Sequence, residues 1–381
     1  MSMYAGTPAK TSGSSRFAEL VAQLREWARE LGFDALGIAD VALDEAEKHL
    51  GEWLADGRHG EMEWMAAHGP RRSRPNELIP GTVRVISVRM NYLGTSQGAA
   101  LSTLADPERG YIARYALGRD YHKLARKRLQ RLAERLEQTV GTFGYRAFCD
   151  SAPVLEKPLA AKAGLGWVGK HSLVLDHHAG SYFFLGEIYT DLPLPVDEPV
   201  REHCGSCRRC MDVCPTKAIT APYRLDARRC IAYLTIEHRG PIPEPLRPLV
   251  GNRVFGCDDC QLVCPWNRHA RLSREAALAP RAALLAPRLV ELMRWDEAQF
   301  LRETEGNPLR RVGYTGFLRN VAVALGNAPT SRATLSALAT RASHSSELVR
   351  EHVRWALDRH NSHAARGTPP DRSYTVGVAA R

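Results

Sequence analysis

"CGSCRRCMDVCPTKAI", residues 204–219, spaces its cysteines by three, three and four positions and sets a proline after the last. Cys204-x2-Cys207-x2-Cys210-x3-Cys214-Pro215 is the thiolate run that holds four-iron clusters. Further on, Cys257-x2-Cys260-x3-Cys264-Pro265 has the same grammar without its first cysteine, and Cys230 is available to supply it. Two 4Fe-4S clusters need eight thiolates, and these residues make eight. In paired sites the fourth cysteine of each run crosses to the other cluster. Cys204, Cys207, Cys210 and Cys264 are therefore assigned to one cluster, and Cys230, Cys257, Cys260 and Cys214 to the other. Cys-x2-Cys pairs also bind zinc, but zinc has no use for three closely spaced cysteines followed by Cys-Pro. Redox-active iron means that the chain moves single electrons. The ninth cysteine, Cys149, ends a strand and reads as a small buried hydrophobe.

Working outward, 381 residues allow two or three domains with a substantial core. A hydrophobic fraction of 44% and a charged fraction of 25% are those of an ordinary globular protein. The opening "MSMYAGTPAKTSGSS" has no apolar export segment, and no run of about 18 apolar residues could cross a membrane. A cytoplasmic chain is expected, and there thiols stay reduced and serve metals rather than disulfides. The net charge of +10 is uneven: from Pro265 onward, 18 Arg against 10 Asp plus Glu give +8. A basic end suits an anionic partner such as nucleic acid.

Residues 16–32 carry an apolar helical stripe stopped by Gly32. "VRVISVRMNYL" (83–93) reads as a buried strand, and 120–141 as a basic amphipathic helix. "GYRAFCD" reads as a strand leading into a helix over "SAPVLEKPLAAKAG", with Pro153 in its first turn and Gly164 capping its end. "SLVL" and "SYFFLGEIYTDL" read as strands paired across "DHHAG". After residue 267 the pattern is helical, and Val321–Leu325 is echoed 32 residues later by Val353–Leu357, a period that suggests HEAT-like helix pairs. "GLGWVGK" (164–170) satisfies G-x-G-x-x-G, but it follows a helix and precedes a strand, the wrong context for a dinucleotide. Its glycines could still let the loop lie against another large flat cofactor.

With "CDSAPVLEKPLAAKAGLGWVGKHSLVL", both cysteine runs and "CIAYLTIEHRGPIP" between them, the chain resembles the tRNA epoxyqueuosine reductase family from about residue 16 to 360. The resemblance implies an α+β multidomain protein. An α/β cobalamin-binding catalytic domain would span 16–195 and a ferredoxin-like two-cluster domain 196–267. A HEAT-like helical tRNA-binding region would follow at 268–362, and a loose tail at 363–381. It implies reduction of epoxyqueuosine at the tRNA wobble position to queuosine, with Asp150 as proton donor. Arg72, Asp150, Ser172, Val174, Thr235 and Asp258 would lie near the corrin. Partners would be the tRNA anticodon stem-loop and a low-potential electron donor protein, with the enzyme itself a monomer. His171 stands where the family usually has Asn, and Ala232 where it usually has Ser, which puts contacts at those two points in doubt.

Asp150 has a plainer reading as the N-cap of the helix that follows. As an acid it would need a raised pKa, which an apolar setting would give. Arg310, Arg311 and Arg319 are expected on one helical segment as phosphate contacts, with Arg239 as a further one. Two rival readings remain, a corrinoid reductive dehalogenase-like enzyme and a bare two-cluster electron carrier. The first normally carries a twin-arginine export signal, which "MSMYAGTPAK" lacks; the second leaves most of the chain without a purpose.

Overall fold

The computed structural model describes residues 13–366. Helix α1 (Gly13–Glu30) buries Leu20, Val21, Leu24 and Ala28 on one face, and Gly32, at φ +83°, ends the run. Strands β1 (Ala35–Ala39) and β2 (Arg84–Asn91) follow. Helix α2 (Tyr121–Val140) starts where the Asp120 carboxylate accepts the His122 N–H. Its apolar stripe, Ala125, Leu129, Leu132, Ala133 and Leu136, is buried. Strand β3 (Tyr145–Phe148), helix α3 (Glu156–Lys162) and strand β4 (Phe183–Thr190) complete the first layer.

The sheet runs β1-β2-β4-β3, antiparallel throughout. Alternation along its strands sends Ile86, Val88 and Ile188 under α1 and α2, and Val85 and Tyr189 toward α3. The end of α3 lies so close to β1 that a Cβ at Gly37 would stand 1.9 Å from the Ala163 carbonyl oxygen, so that position admits only glycine.

Two local expectations fail here. Helix α3 begins at Glu156, not Ser151, because Pro153 forces Ala152 away from helical backbone. The proline in its first turn is Pro158, where no N–H is needed. Val174–Leu175 pairs with Trp167–Val168 instead of with β4; across "DHHAG" an Asp176–Gly180 bridge closes the turn. The glycine loop is also closed against its own protein: a Cβ at Gly166 would meet the Leu175 carbonyl oxygen at 2.0 Å, and one at Gly164 would meet that of Glu198 at 2.8 Å.

The three stretches expected as separate units interlock. Arg253–Phe255 in the cysteine-rich stretch pairs in parallel with Tyr111–Ile112. Ile112, Ala116 and Leu117 share one core with Ile236, Val254 and Phe255 and with the C-terminal helices. There α4 (Gly313–Gly326) buries every residue from Phe317 to Gly326, so it is enclosed on all sides. Helices α5 (Arg332–Ala339) and α6 (Glu347–Arg366) pack around it. The echoed segments lie on α4 and α6, which pack on each other through Val321, Val353 and Ala356. Helix α6 runs through Arg366, past the expected start of the tail at 363, and the rest of that tail lies outside the described residues. Among the described residues no helix is long and apolar enough to cross a membrane.

Candidate active site and iron–sulfur ligands

The first cysteine run turns tightly, with the Cys207 N–H donating to the Cys204 carbonyl at 3.0 Å, and then enters the short helix Arg209–Val213, which buries Cys210. That helix packs on Asp259–Leu262, the corresponding helix of the second run. Cys230 immediately precedes the helix Ile231–Ile236. All nine thiols are free.

The structure brings the eight thiols together in the crossed arrangement. Burial pushes the Cys264 thiol up to about 11, opposed by the Trp266 N–H, and its thiol neighbours Cys204, Cys210 and Cys207 add to the rise. These four line one cavity of about 210 Å³. Burial likewise raises Cys260 and Cys257; Cys230 and Cys214 are among the groups adding to the first, and Asp259 and Cys260 add to the second. Among the described residues no three His, Cys, Asp or Glu side chains converge as they would on a single ion. Four thiols from a Cys-x2-Cys-x2-Cys run and a Cys-Pro, gathered around one cavity, suit a cluster.

Asp150 follows β3 at φ +52°, inside a three-residue turn closed by the Ser151 N–H on the Cys149 carbonyl at 2.6 Å. It caps no helix; Leu155 holds the position before α3 and makes no side-chain cap. The Asp150 main-chain N–H donates to Glu156 Oε1 at 2.5 Å. Its carboxylate Oδ2 accepts the Tyr121 hydroxyl at 2.9 Å and faces His122 Nε2 at 2.9 Å. Three contacts thus hold a sparsely populated backbone conformation, as functional sites often do.

The expected raised carboxyl is not found. Burial pushes the Asp150 carboxyl upward, but the hydrogen bond and charge of His122, the Tyr121 hydroxyl and the Arg311 charge outweigh it and hold it below its ordinary value. Burial depresses His122, yet Asp120 and Asp150 more than compensate and bring the imidazole to about 9. Beside Asp150 it is Glu156 that rises, to about 7, through burial and the Asp150 charge, with Glu187 buried beside it and pushed up further still; burial also raises Asp258. Next in sequence, Lys157 is exposed, and its ammonium is lowered by desolvation against the charges of Glu156, Asp150, Cys260 and Cys230, which raise it. The charges of Asp150 and of the second cysteine group thus both act on Lys157, which puts the two groups near each other.

The other expected residues divide. Ser172 sits in a left-handed turn at φ +65° and keeps some exposure. Val174 is buried in its hairpin. The Thr235 hydroxyl donates to the Ile231 carbonyl and accepts the Gly256 N–H. Asp258 accepts the Tyr111 hydroxyl and the Arg114 N–H, both at 2.7 Å. The Arg72 guanidinium is committed to the Trp64 and Met65 carbonyls. Burial pushes the Tyr115 hydroxyl up, and the charges of Asp150, Asp258 and Glu237 add to the rise against that of Arg311. Of the doubtful positions, Ala232 packs against the C-terminal core. His171 is buried and held neutral at about 4 by burial, then by Lys157, with Nδ1 accepting the Leu173 N–H and Nε2 without a partner.

Arg310 and Arg311 are exposed on the 3-10 turn Pro308–Val312, which breaks from α4 at that helix's first residue, Gly313, at φ +71°. Arg239 joins them, its Nη1 donating to the Arg311 carbonyl at 3.1 Å. Arg319 does not belong with them. It is fully buried, and its guanidinium donates to the Leu234, His238 and Gly240 carbonyls at 2.7, 2.8 and 2.8 Å. It satisfies the open end of the helix Ile231–Ile236 and pins α4 to it. Asp120, Tyr121, His122, Glu156 and Lys157 were missed; the faint signal was two acids and a histidine at the ends of helices that meet.

Residues 72–151 match the family described as "Epoxyqueuosine reductase QueG, DUF1730", and residues 203–267 the "4Fe-4S double cluster binding domain". The chain is 61% identical over 344 residues to the epoxyqueuosine reductase of Pseudomonas aeruginosa, covering 90% of this chain and 95% of that one. The Escherichia coli enzyme is 57% identical over 339 residues, 89% of each chain. The chain belongs to the epoxyqueuosine reductase family. In three dimensions it is similar to an epoxyqueuosine reductase crystallised with an epoxyqueuosine-modified tRNA-Tyr stem loop, at TM-score 0.83 and 27% identity over 92% of both chains. It is also similar to the Bacillus subtilis epoxyqueuosine reductase, whose catalytic aspartate loop was seen swung out of the active site, at TM-score 0.81 and 27% identity over 92% of this chain and 93% of that one.

Proposed function

We propose that this chain reduces the epoxide of epoxyqueuosine, at the wobble position of a tRNA anticodon, to the alkene of queuosine. One observation supports this above the rest: Lys157 feels the charges of both Asp150 and the thiols Cys260 and Cys230, so the acid site and an electron-carrying cysteine group are neighbours. The crossed cysteine sets would each hold a 4Fe-4S cluster. Cobalamin, which the family resemblance implies, would lie beside Asp150 and Ser172, both of which keep free surface. Arg72, Val174, Thr235 and Asp258 are buried and would shape the wall of its site rather than reach into it. Bound there, the corrin and clusters supply low-potential electrons, one at a time, from a donor protein.

The chain's own groups do the rest. Asp150 delivers protons to the oxygen that leaves the epoxide, and the Tyr121 hydroxyl holds its carboxylate in place. Arg239, Arg310 and Arg311 take the phosphates of the stem-loop, next to the site because Arg311 also acts on Asp150. That exposed arginine group favours a polyanionic substrate over a small halogenated one. The units 16–195, 196–267 and 268–362 would act together as a cytoplasmic monomer. The test is incubation of the reconstituted protein with epoxyqueuosine tRNA, cobalamin and a low-potential reductant, followed by nucleoside mass spectrometry. Queuosine, one oxygen lighter, is expected; unchanged epoxyqueuosine would refute the reading.

A further inference from the structure

We propose that His122 is the proton supply of this site: it loads protons from solvent and passes them, one after the other, through Asp150 to the departing oxygen. The proposal rests on the reading above, that an epoxide is reduced here. The stoichiometry requires such a group. Two C–O bonds break, a C=C bond forms, two electrons enter from the low-potential donor, and the oxygen leaves as water. Two protons must therefore reach that oxygen, while one carboxyl holds at most one.

The geometry places the supply. His122 Nε2 lies 2.9 Å from Asp150 Oδ2, and Nδ1 lies 2.6 Å from Asp120 Oδ1, so both ring nitrogens have carboxylate partners. The ring stacks on Tyr121 at a centroid distance of 4.3 Å, which fixes its plane. Its side chain is 21% exposed, enough to exchange protons with water. Of the charged groups around the pair, Asp120 and Glu156 are acids, Arg126 reaches Ser151 at 3.4 Å, and Arg311 acts on Asp150 from the C-terminal turn. With the imidazole at about 9 and the carboxyl below its ordinary value, the pair holds one proton at neutral pH, on the imidazole. Transfer to Asp150 alone is uphill. A developing alkoxide is far more basic than either group, so the proton crosses Asp150 as the C–O bond breaks.

His122 acts through another residue, so its test must separate proton supply from mere placement of Asp150. In holoenzyme labelled with 15N-histidine, the His122 resonance should titrate near 9, and in D150N it should fall toward the ordinary histidine value. H122Q keeps one hydrogen bond to Asp150 but carries no proton. It should lose kcat by on the order of 10²-fold with little change in KM for tRNA. H122A should regain part of the loss with added imidazole, more at pH values where imidazolium is present. An H122Q enzyme with wild-type kcat, or a His122 that is neutral at pH 7, would overturn the proposal while leaving the epoxide reading intact. A wild-type enzyme that makes no queuosine would overturn the reading itself, and this proposal with it.

Discussion

The electron side and the proton side of this molecule are built in opposite ways. The eight thiols come from 61 consecutive residues, 204–264, and tight turns and two short helices fix their positions. The proton side is gathered from the start of α2, the turn after β3, the start of α3 and the 3-10 turn before α4, residues 120 to 311. Electron carriers tolerate local construction because the ligands bind the metal themselves. A proton path needs exact heavy-atom spacing between groups with different pKa values, and only the folded scaffold supplies that.

The comparison breaks most visibly at the cysteines. Cys230 is the one ligand outside both runs, so C230A should leave about four iron per chain, with the other cluster assembled. Queuosine formation should fall below detection, because the electron route ends at the cluster beside Asp150. Full iron in C230A would mean that the crossed assignment is wrong. On the proton side, D150N keeps the size and some hydrogen bonding of the carboxylate. It should retain iron and tRNA binding while kcat drops by on the order of 10²-fold or more. Near-normal kcat would remove Asp150 from proton delivery, and a cap role cannot be revived, since no helix starts there.

This contrast also governs how much could be read beforehand. Spacing alone carried the cysteine runs, and periodicity carried α1, α2 and β2, because those patterns are local. Periodicity said nothing of His122, which sits on a polar edge of α2 and becomes special through Asp150, 28 positions away. The positive φ of Asp150 was hidden for a related reason: Ser151 and Pro153 look like a helix start, and the turn is held by Glu156 and Tyr121 from elsewhere. Arg319 was misplaced because net charge counts arginines without asking where they point. Its neighbours "GFLRNVAVALG" are apolar on every side, a pattern that marks an enclosed helix.

Three arginines within ten residues, Arg310, Arg311 and Arg319, carry the same contrast. R319M should cost several kcal/mol and lower the melting temperature, since each buried carbonyl left without a partner costs about 1–3 kcal/mol. R310E/R311E should melt almost as the wild type does, because both side chains are exposed. The double variant should instead raise KM for tRNA by on the order of tenfold and flatten its dependence on salt. If R319M melts normally and R310E/R311E binds tRNA normally, the basic face lies elsewhere.

The smallest effect expected is a pH dependence of stability, and it tests the His122–Asp150 pair without any substrate. His122 rises from 6.5 to about 9 on folding. Its stabilising contribution is therefore complete below about 6.5 and fades as pH climbs through about 9. Asp150 is depressed below its ordinary 3.8, so its contribution is present above that value and fades as pH falls beneath it. The pair is strongest between these limits. Glu156 works the other way, since folding raises it from 4.5 to about 7, but wild type and H122Q share it. Taking the difference in melting temperature between those two proteins removes that shared part to first order. The gap should be widest near pH 6 and should narrow toward pH 9.5, by a few degrees at most because the Asp150 side chain is 45% exposed. A gap that stays constant across that range would mean that the imidazole is not the charged partner of Asp150, and that the proton rests somewhere else in the site.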